Sequence, residues 1–159
     1  HEYLIDQVQF SNDFNAGTPV DLVTPVCTEV DIRFNHPVKE LVWTVGESEI
    51  NNVVVDDALL QLNGHDRFKK RSGTYFTDVQ RYQHHTGIDG IQVPHIYSFA
   101  LKPEEHQPSG TCNFSRIDNA VLNLSYKGLS TKPHVLRVYG VNYNVLRIMS
   151  GMGGLAYSN

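Results

Sequence analysis

Cysteine and long apolar runs are both scarce in this chain. Its 159 residues include only two cysteines, Cys27 and Cys112, which allow at most one bridge and match no metal-binding spacing. Because cysteine behaves as a small hydrophobic residue, two free, buried thiols in a reducing compartment are the simpler interpretation. No run of about 20 apolar residues is present, so the sequence predicts no transmembrane helix.

Charge is also low, and its sign argues against nucleic acid as a partner. Charged residues make up 19% of the chain and the formal net charge is −4, whereas duplex-binding domains are usually basic. A short basic and aromatic run, from Arg67 to Phe76, has the residue types of a single-strand platform. In an acidic chain, a solvated loop or a protein contact is the better interpretation. We therefore predict no direct contact with nucleic acid.

Helical periodicity is nearly absent, and alternation of apolar and polar residues takes its place. Between Thr28 and Phe34 the apolar side chains fall on every second position, which is the period of a half-buried strand. Further strands are predicted over Glu2–Phe10, Glu40–Val45, Val53–Val55, Ala58–Leu62, Ile96–Leu101, Ala120–Tyr126 and Val135–Met149. About seven or eight short strands predict an all-β fold, a β-sandwich or jelly roll. Trp43 alternates with Leu41 and Val45 and is a predicted core residue.

Three local features refine this prediction. Apolar residues occur on both faces of Glu2–Phe10, which predicts a strand covered on both sides. Asn63-Gly64 is a strong turn pair, and Gly140 predicts a bulge within the last strand. The polar stretch from His65 to Gly90 carries aromatic residues that could anchor it, so an ordered loop or short helix is expected there.

A long, proline-containing arm joins the Ile96 and Ala120 strands. Pro103, Pro108 and Gly110 fix its path, and long ordered connections are usually functional. Its candidate subunit-contact residues are Lys102, Glu104, Glu105, His106, Arg116 and Asp118. We expect part of the arm to pack against a neighbouring subunit and the rest to be pinned to its own domain.

No group of residues has the spacing of a catalytic or metal site. Zinc needs three or four converging ligands, whereas the adjacent His84 and His85 would point to opposite faces of a strand. The triplet at 104–106 has acid–base residue types but lies between two prolines of the arm rather than in a predicted pocket. We therefore predict no enzymatic activity, no cofactor and no tightly bound metal. The glycosylation sequon occurs at Asn113 and at Asn123, the second within a predicted strand.

Three ordered motifs give the chain a family resemblance. They are FNHPVKELVW at Phe34–Trp43, YSFALKPEEHQPSGTCNFSRIDNA at Tyr97–Ala120 and NYNVLRIMSGMGGLAYSN at Asn142–Asn159. Together they resemble the C-terminal part of the major capsid protein of nucleocytoplasmic large DNA viruses, especially the algal phycodnavirus and chlorovirus members. The resemblance spans nearly the whole chain.

The resemblance implies a structural protein of an icosahedral capsid. Family members carry two tandem jelly rolls, so residues 1–159 would be one domain, most of the C-terminal jelly roll, with the upstream roll absent and the chain truncated at its N-terminus. It implies homotrimeric, pseudo-hexagonal capsomers that contact neighbouring capsomers or minor capsid proteins, with the arm packed on a neighbouring subunit or on the partner jelly roll. The expected location is the virion, after assembly in the host cell cytoplasm. Algal members carry glycans at atypical asparagines, so glycosylation is implied without a position.

Two other classes of function remain open from the residues alone. A carbohydrate-binding β-sandwich could stack sugars on Tyr75, Phe76 and Tyr82. A jelly-roll metal enzyme of the cupin type would use the histidines as ligands. Specific glycan binding without assembly would favour the first, and a stoichiometric metal would favour the second.

Overall fold

Two antiparallel sheets form the fold of the described part of the chain. This computed structural model describes residues 1–46, 53–87, 94–129 and 133–158. In chain order the strands are β1 (Glu2–Phe10), β2 (Phe14–Gly17), β3 (Val26–Asp31), β4 (Pro37–Gly46), β5 (Val53–Leu62), β6 (His65–Asp66), β7 (Arg71–Ser72), β8 (His95–Ser98), β9 (Cys112–Asn113), β10 (Ala120–Gly128), β11 (His134–Met149) and β12 (Met152–Leu155). A π-helix (Tyr75–Val79) leads into α1 (Gln80–His84), and a 3₁₀ helix (Phe114–Arg116) follows β9.

The order of the strands is that of a jelly roll. The larger sheet has the order β1-β11-β4-β8, extended by the short strands β2, β9 and β12. The smaller sheet has the order β3-β10-β5-β6, with β7 also paired to β5. Apart from the β5–β6 hairpin, successive long strands alternate between the sheets, as jelly-roll connectivity requires. The predicted fold class is therefore confirmed, and the two main strand orders contain eight of the twelve strands in the described part of the chain.

The core lies between the two sheets and follows the predicted alternation. Val30, Ile32 and Phe34 are all buried, although the regular pairing of β3 ends at Asp31. Trp43 is fully buried, and its ring centroid lies 5.0 Å from that of Phe76. Burying a large aromatic side chain is a major contribution to stability, so this predicted core residue is confirmed.

Strand β1 departs from its predicted burial. It forms the edge of the larger sheet, and Val8 and Phe10 are 62% and 51% exposed. On the other face of the strand, Gln7 and Gln9 bond to buried amides of β11. The prediction that both faces are covered was wrong, because amide hydrogen bonds replace apolar contacts on one face and the other is open.

Gly140 has a packing role rather than a bulge of its own. A Cβ at this position would lie 2.7 Å from the ring of Phe34, so only glycine lets the ring pack on the backbone of β11. The register shift between β4 and β11 lies one residue further along, between Val141 and Asn142.

The remaining local predictions concern the turn at Asn63-Gly64, the apolar runs at 53–62 and the two cysteines, and their outcomes differ. Asn63 and Gly64 both have positive φ, 52° and 78°, which confirms the tight turn before β6. The two apolar runs at 53–62 form the single strand β5, with a register shift opposite Ser125. Both cysteines are free, but Cys27 is exposed and Cys112 only partly covered, so their predicted burial was wrong.

Candidate interaction surface

The first half of the arm is a closed loop tied to the larger sheet. The backbone N–H groups of Phe99 and Ala100 both donate to the carbonyl of Lys39 on β4. The loop then closes on itself, because Lys102 N donates to Ser109 Oγ at 2.9 Å. Gly110 has a φ of 141°, and a Cβ there would lie 2.8 Å from the carbonyl oxygen of Phe99. The glycine therefore lets the two ends of the loop approach closely.

Glu104 pins this loop to the segment after α1. Its carboxylate accepts hydrogen bonds from Thr86 N at 2.9 Å and Thr86 Oγ1 at 2.8 Å. These bonds, with the backbone donor first, hold the pKa of Glu104 below its usual value. The imidazole of His85 lies between two carboxylates, with Nδ1 3.3 Å from Glu104 and Nε2 2.7 Å from the buried Glu40 of β4. The side chain of His85 thus links the arm to the segment after α1 and to β4 of the larger sheet.

The tip of the loop faces solvent. Lys102 and Glu105 form an exposed ion pair with each other at 3.1 Å. His106, Gln107 and Pro108 are exposed, and the side chain of His106 has no hydrogen-bond partner within the described residues. The arm residues predicted to make contacts thus divide into a pinned group and a free tip.

The second half of the arm crosses the end of β4. Cys112 and Asn113 pair with Val38 and Pro37, and Phe114 is buried. The 3₁₀ turn is held by the Asn113 side chain, which accepts a hydrogen bond from Ser115 N.

Arg116, the last residue of this turn, and Asp118, which follows it, are both exposed. The side chain of Asn63 accepts hydrogen bonds from Asp118 N and Asn119 N, which ties the arm to the β5–β6 turn. The turn pair Asn63-Gly64 is the only local sequence feature that belongs to this link.

A cavity of about 510 Å³ opens beside the 3₁₀ turn that begins at Phe114. Five stretches line it, namely β1, the start of β4 with the residue before it, β9 with the 3₁₀ helix, β11 and the C-terminal segment. The lining residues are Leu4, His36, Pro37, Asn113, Ser115, Arg116, Tyr143, Asn144, Val145 and Tyr157. Sequence analysis missed this cavity, because its walls come from five separate stretches of the chain.

A rigid apolar turn lies between β2 and β3. The carboxylate of Asp21 accepts hydrogen bonds from Thr24 N and Val23 N, which lower the pKa of Asp21. The turn holds Leu22 and Val23 in solvent, where both are more than half exposed. An Asp followed three residues later by Thr was the only sequence signal for this turn.

The two candidate glycosylation sites differ in environment. Asn113 is exposed at the arm, and Ser115, the third residue of its sequon, accepts a hydrogen bond from His36 N at 2.8 Å. Asn123 lies within β10 and donates to Gln61, while Ser125 of its sequon is buried. Only Asn113 is placed where an enzyme could reach it in the folded chain.

Neither alternative class of function gains support from the geometry. Phe76 is fully buried and Tyr75 packs edge-on against it, so of the three proposed sugar-stacking aromatics only Tyr82 is free. Residues that could hold a metal ion do not cluster anywhere in the described ranges. Within those same ranges, no helix is long and apolar enough to cross a membrane.

Comparison with known proteins points to one family. A family model described as "Large eukaryotic DNA virus major capsid protein" matches residues 1–154. The chain is 48% identical to the major capsid protein of Pyramimonas orientalis virus, covering 100% of this chain and 43% of that protein. It is 41% identical to the major capsid protein of Paramecium bursaria Chlorella virus 1, covering 100% of this chain and 49% of that protein.

Solved structures agree with the fold. A chain in a quasi-atomic model of the PBCV-1 virus capsid superimposes with a TM-score of 0.86 at 38% identity, covering 100% of this chain and 52% of that one. The Faustovirus major capsid protein superimposes with a TM-score of 0.65 at 12% identity, covering 93% of this chain and 33% of that one, which supports the fold alone. The chain thus spans about half the length, or less, of the relatives it matches.

Proposed function

The chain belongs to the large eukaryotic DNA virus major capsid protein family, and from that membership we propose that it builds the shell of an icosahedral virus. The observation that carries the proposal is the match over the whole chain to two major capsid proteins, at 48% and 41% identity. Its work is structural: the roll buries its own core and presents loops to neighbouring copies. No step of chemistry is required for that role.

We further propose that residues 1–159 are one domain, the C-terminal jelly roll of a two-roll protein. The chain covers 43% and 49% of the two capsid proteins it resembles, which is the share one roll of two would take. The jelly-roll order of its strands supports a domain that folds around its own core.

The proposed assembly unit is a homotrimeric, pseudo-hexagonal capsomer, in which the tip of the arm contacts a neighbouring subunit or the partner roll. The division of the arm supports this role. Glu104 is fixed to the roll through Thr86 and His85, whereas Glu105 pairs only with Lys102 of the same loop and residues 106–108 are exposed. A long loop that is fixed at its base and exposed at its tip can contact a partner with little further loss of conformational entropy.

Beyond the trimer, we propose contacts with neighbouring capsomers or minor capsid proteins in the virion, after assembly in the host cell cytoplasm. The exposed apolar turn at Leu22 and Val23 is one surface available for such contacts. It lies apart from the arm in sequence, and the carboxylate of Asp21 holds it by accepting hydrogen bonds from Val23 N and Thr24 N.

The test is the oligomeric state of a protein that carries both jelly rolls. Replacing Lys102–Gly110 with a short glycine-serine loop should preserve the β-sheet circular dichroism signal and weaken the trimer, as measured by light scattering. A finer variant changes only Glu105, His106 and Gln107 to alanine, so that Glu104 still pins the loop.

The matched control changes three exposed polar residues outside the arm, Lys69, Asp78 and Gln83, to alanine. We expect the control to form trimers as stable as those of the parent protein. If both arm variants also form trimers of parental stability, the arm serves its own domain only and its proposed contact role is wrong.

A further inference from the structure

The imidazole of His85 faces a carboxylate with each of its two ring nitrogens. Nε2 lies 2.7 Å from Glu40 Oε2, and Nδ1 lies 3.3 Å from Glu104 Oε1. A neutral imidazole has one N–H donor and one acceptor nitrogen, whereas the imidazolium donates from both nitrogens. An ionised carboxylate only accepts hydrogen bonds. The two contacts therefore fit the imidazolium, because a neutral ring would turn one lone pair towards a negative charge.

These three side chains, here called the His85 clasp, lie at a site with little access to water. The side chains of His85 and Glu40 are 11% and 10% exposed, and that of Glu104 is 40% exposed. Charges in such a site are screened less than those at the surface, and a buried carboxylate that loses its cation is strongly destabilised. Hydrogen bonds from Thr86, the backbone donor first, lower the pKa of Glu104, so its carboxylate stays charged where histidines titrate.

The other charged groups around the clasp make contacts that do not depend on a histidine proton in this way. His84 Nδ1 lies 3.0 Å from the carbonyl oxygen of Leu101, and a neutral tautomer with a protonated Nδ1 keeps this contact. Arg81 lies one turn earlier on α1, where its carbonyl accepts a hydrogen bond from His85 N. Two further ion pairs lie on the loop and on β4, namely Lys102–Glu105 and Lys39–Asp6.

We propose that the His85 clasp is a proton-dependent switch, which holds the arm against β4 and the segment after α1 while His85 is an imidazolium and loosens when His85 loses a proton. The clasp is complete at mildly acidic pH, and one of its two contacts is lost as the pH rises through the titration of His85. The inference goes beyond the proposed function, because it concerns the attachment of the arm to its own roll and is measured on the chain alone.

The clasp acts on the middle of the arm loop. The loop starts at a backbone tie to Lys39 of β4 and closes where Lys102 N donates to Ser109 Oγ. Glu104 lies between these two residues and ties the loop to Thr86 as well as to His85. Loss of the proton should therefore loosen the centre of the loop without detaching its ends.

The test is NMR spectroscopy of the 159-residue chain from about pH 5.5 to about pH 8.5, across the range where histidines change charge. The ring nitrogen shifts of His85 report whether both nitrogens are protonated. Protection of Thr86 N–H against hydrogen exchange, corrected for the intrinsic pH dependence of exchange, reports the attachment of Glu104. We expect this protection to fall about tenfold, with the midpoint of the ring titration, as loss of a charge-assisted hydrogen bond implies. The Ser98 N–H, which donates to Gln80, should keep its protection.

Two variants and one matched control identify the groups. His85→Gln should abolish the pH dependence of Thr86 protection, because glutamine does not titrate. Glu104→Gln should abolish it as well, since an amide accepts from Thr86 and can donate to Nδ1 of a neutral His85. This second variant changes a partly exposed side chain and serves if His85→Gln does not fold. His84→Asn keeps a donor for the Leu101 carbonyl and removes the adjacent titrating ring, so it should leave the pH dependence unchanged.

Four results would overturn the proposal. A His85 ring that is already neutral at about pH 5.5, with Thr86 protected, would show that the attachment needs no proton. A ring that stays doubly protonated up to about pH 8.5 would exclude a switch in this range. Constant protection of Thr86 while the ring titrates would show that the clasp does not hold the arm. A pH dependence that persists in Glu104→Gln, or disappears in His84→Asn, would assign the effect to another group.

Discussion

His95 shows how one largely buried side chain makes stability depend on pH. Burial lowers the pKa of His95 to about 4, compared with about 6.5 for an exposed imidazole. Between these two values the unfolded chain binds more protons than the folded one, so stability must fall as the pH drops through this window. The loss through this one group should reach at most about 3 kcal/mol.

The measurement is urea unfolding of the parent chain and of His95→Phe at about pH 7.5 and about pH 4.5. Phenylalanine keeps a ring stacked on Trp43, as the imidazole is now, and it cannot titrate. The parent should lose more stability than the variant between the two pH values. Asp13, Asp21 and Glu104 also have lowered pKa values, but they lose their contribution at lower pH. Equal losses in parent and variant would contradict the assignment to His95.

Gly140 makes a second prediction at the residue scale. Gly140→Ala places a Cβ 2.7 Å from the ring of Phe34, which is itself buried against Phe114. Because that ring cannot easily move, we expect a loss of about 1–3 kcal/mol, typical of overpacking. Thermal or urea unfolding measures the loss. Gly154→Ala is the control, since a Cβ there meets nothing within 4 Å, and a comparable loss in this control would rule out the clash with Phe34 as the cause.

At the scale of elements, a ladder of amides holds β1 against β11. Gln9 Nε2 donates to Asn142 Oδ1 at 3.0 Å, and Asn144 Nδ2 donates to Gln7 Oε1 at 3.1 Å. Asn142 is fully buried and Asn144 nearly so. A shift of β1 by one residue would break both bonds and leave the buried Asn142 Oδ1 without its donor, so the ladder fixes the register where apolar contacts cannot.

A double-mutant cycle tests the ladder. Gln9→Ala and Asn142→Ala should each destabilise the chain by about 1–3 kcal/mol, and together they should cost less than their sum, with a coupling of about 0.5–3 kcal/mol. Urea unfolding gives the free energies. The matched cycle on Gln61 and Asn123, a half-exposed amide pair at 3.3 Å, should show smaller coupling. Additive effects of Gln9 and Asn142 would mean that the ladder does not act as a unit.

The accuracy of sequence-based prediction follows from how local each signal is. Alternation predicted the buried face of β3 and the position of Trp43, because one apolar face per strand is a local pattern. It failed for β1, where glutamines make the internal contacts and valine faces solvent. The cavity beside Arg116 had no local signal at all, since its walls meet only after the sheets have formed.

At the scale of the whole molecule, the unpaired edge of β1 is where the isolated roll is most prone to self-association. No strand in the described ranges pairs with its outer edge, and exposed Val8 and Phe10 continue onto Tyr139, whose ring lies 5.1 Å from that of Phe10. An unpaired edge beside an apolar face promotes association of identical chains.

Val8→Lys should therefore reduce concentration-dependent association of the chain, measured by light scattering, while leaving circular dichroism and the melting temperature nearly unchanged. A charge on an edge strand is a common means of preventing such pairing. Val20→Lys is the control, because Val20 is a similarly exposed valine in a loop. If both substitutions reduce association equally, general solubility and not the strand edge would explain the effect.

The pairing of β1 with β11 has a consequence for synthesis of the chain on the ribosome. Arg147, which forms an ion pair with Glu2, follows it by 145 residues. Strand β1 therefore leaves the ribosome long before its partner β11, and it stays unpaired while the residues between them are translated. Translation at about 5–20 residues per second makes that delay several seconds or longer. During this interval its apolar side chains are open to chaperones and to other nascent chains, so crowded polysomes are where this roll is most exposed to misassembly.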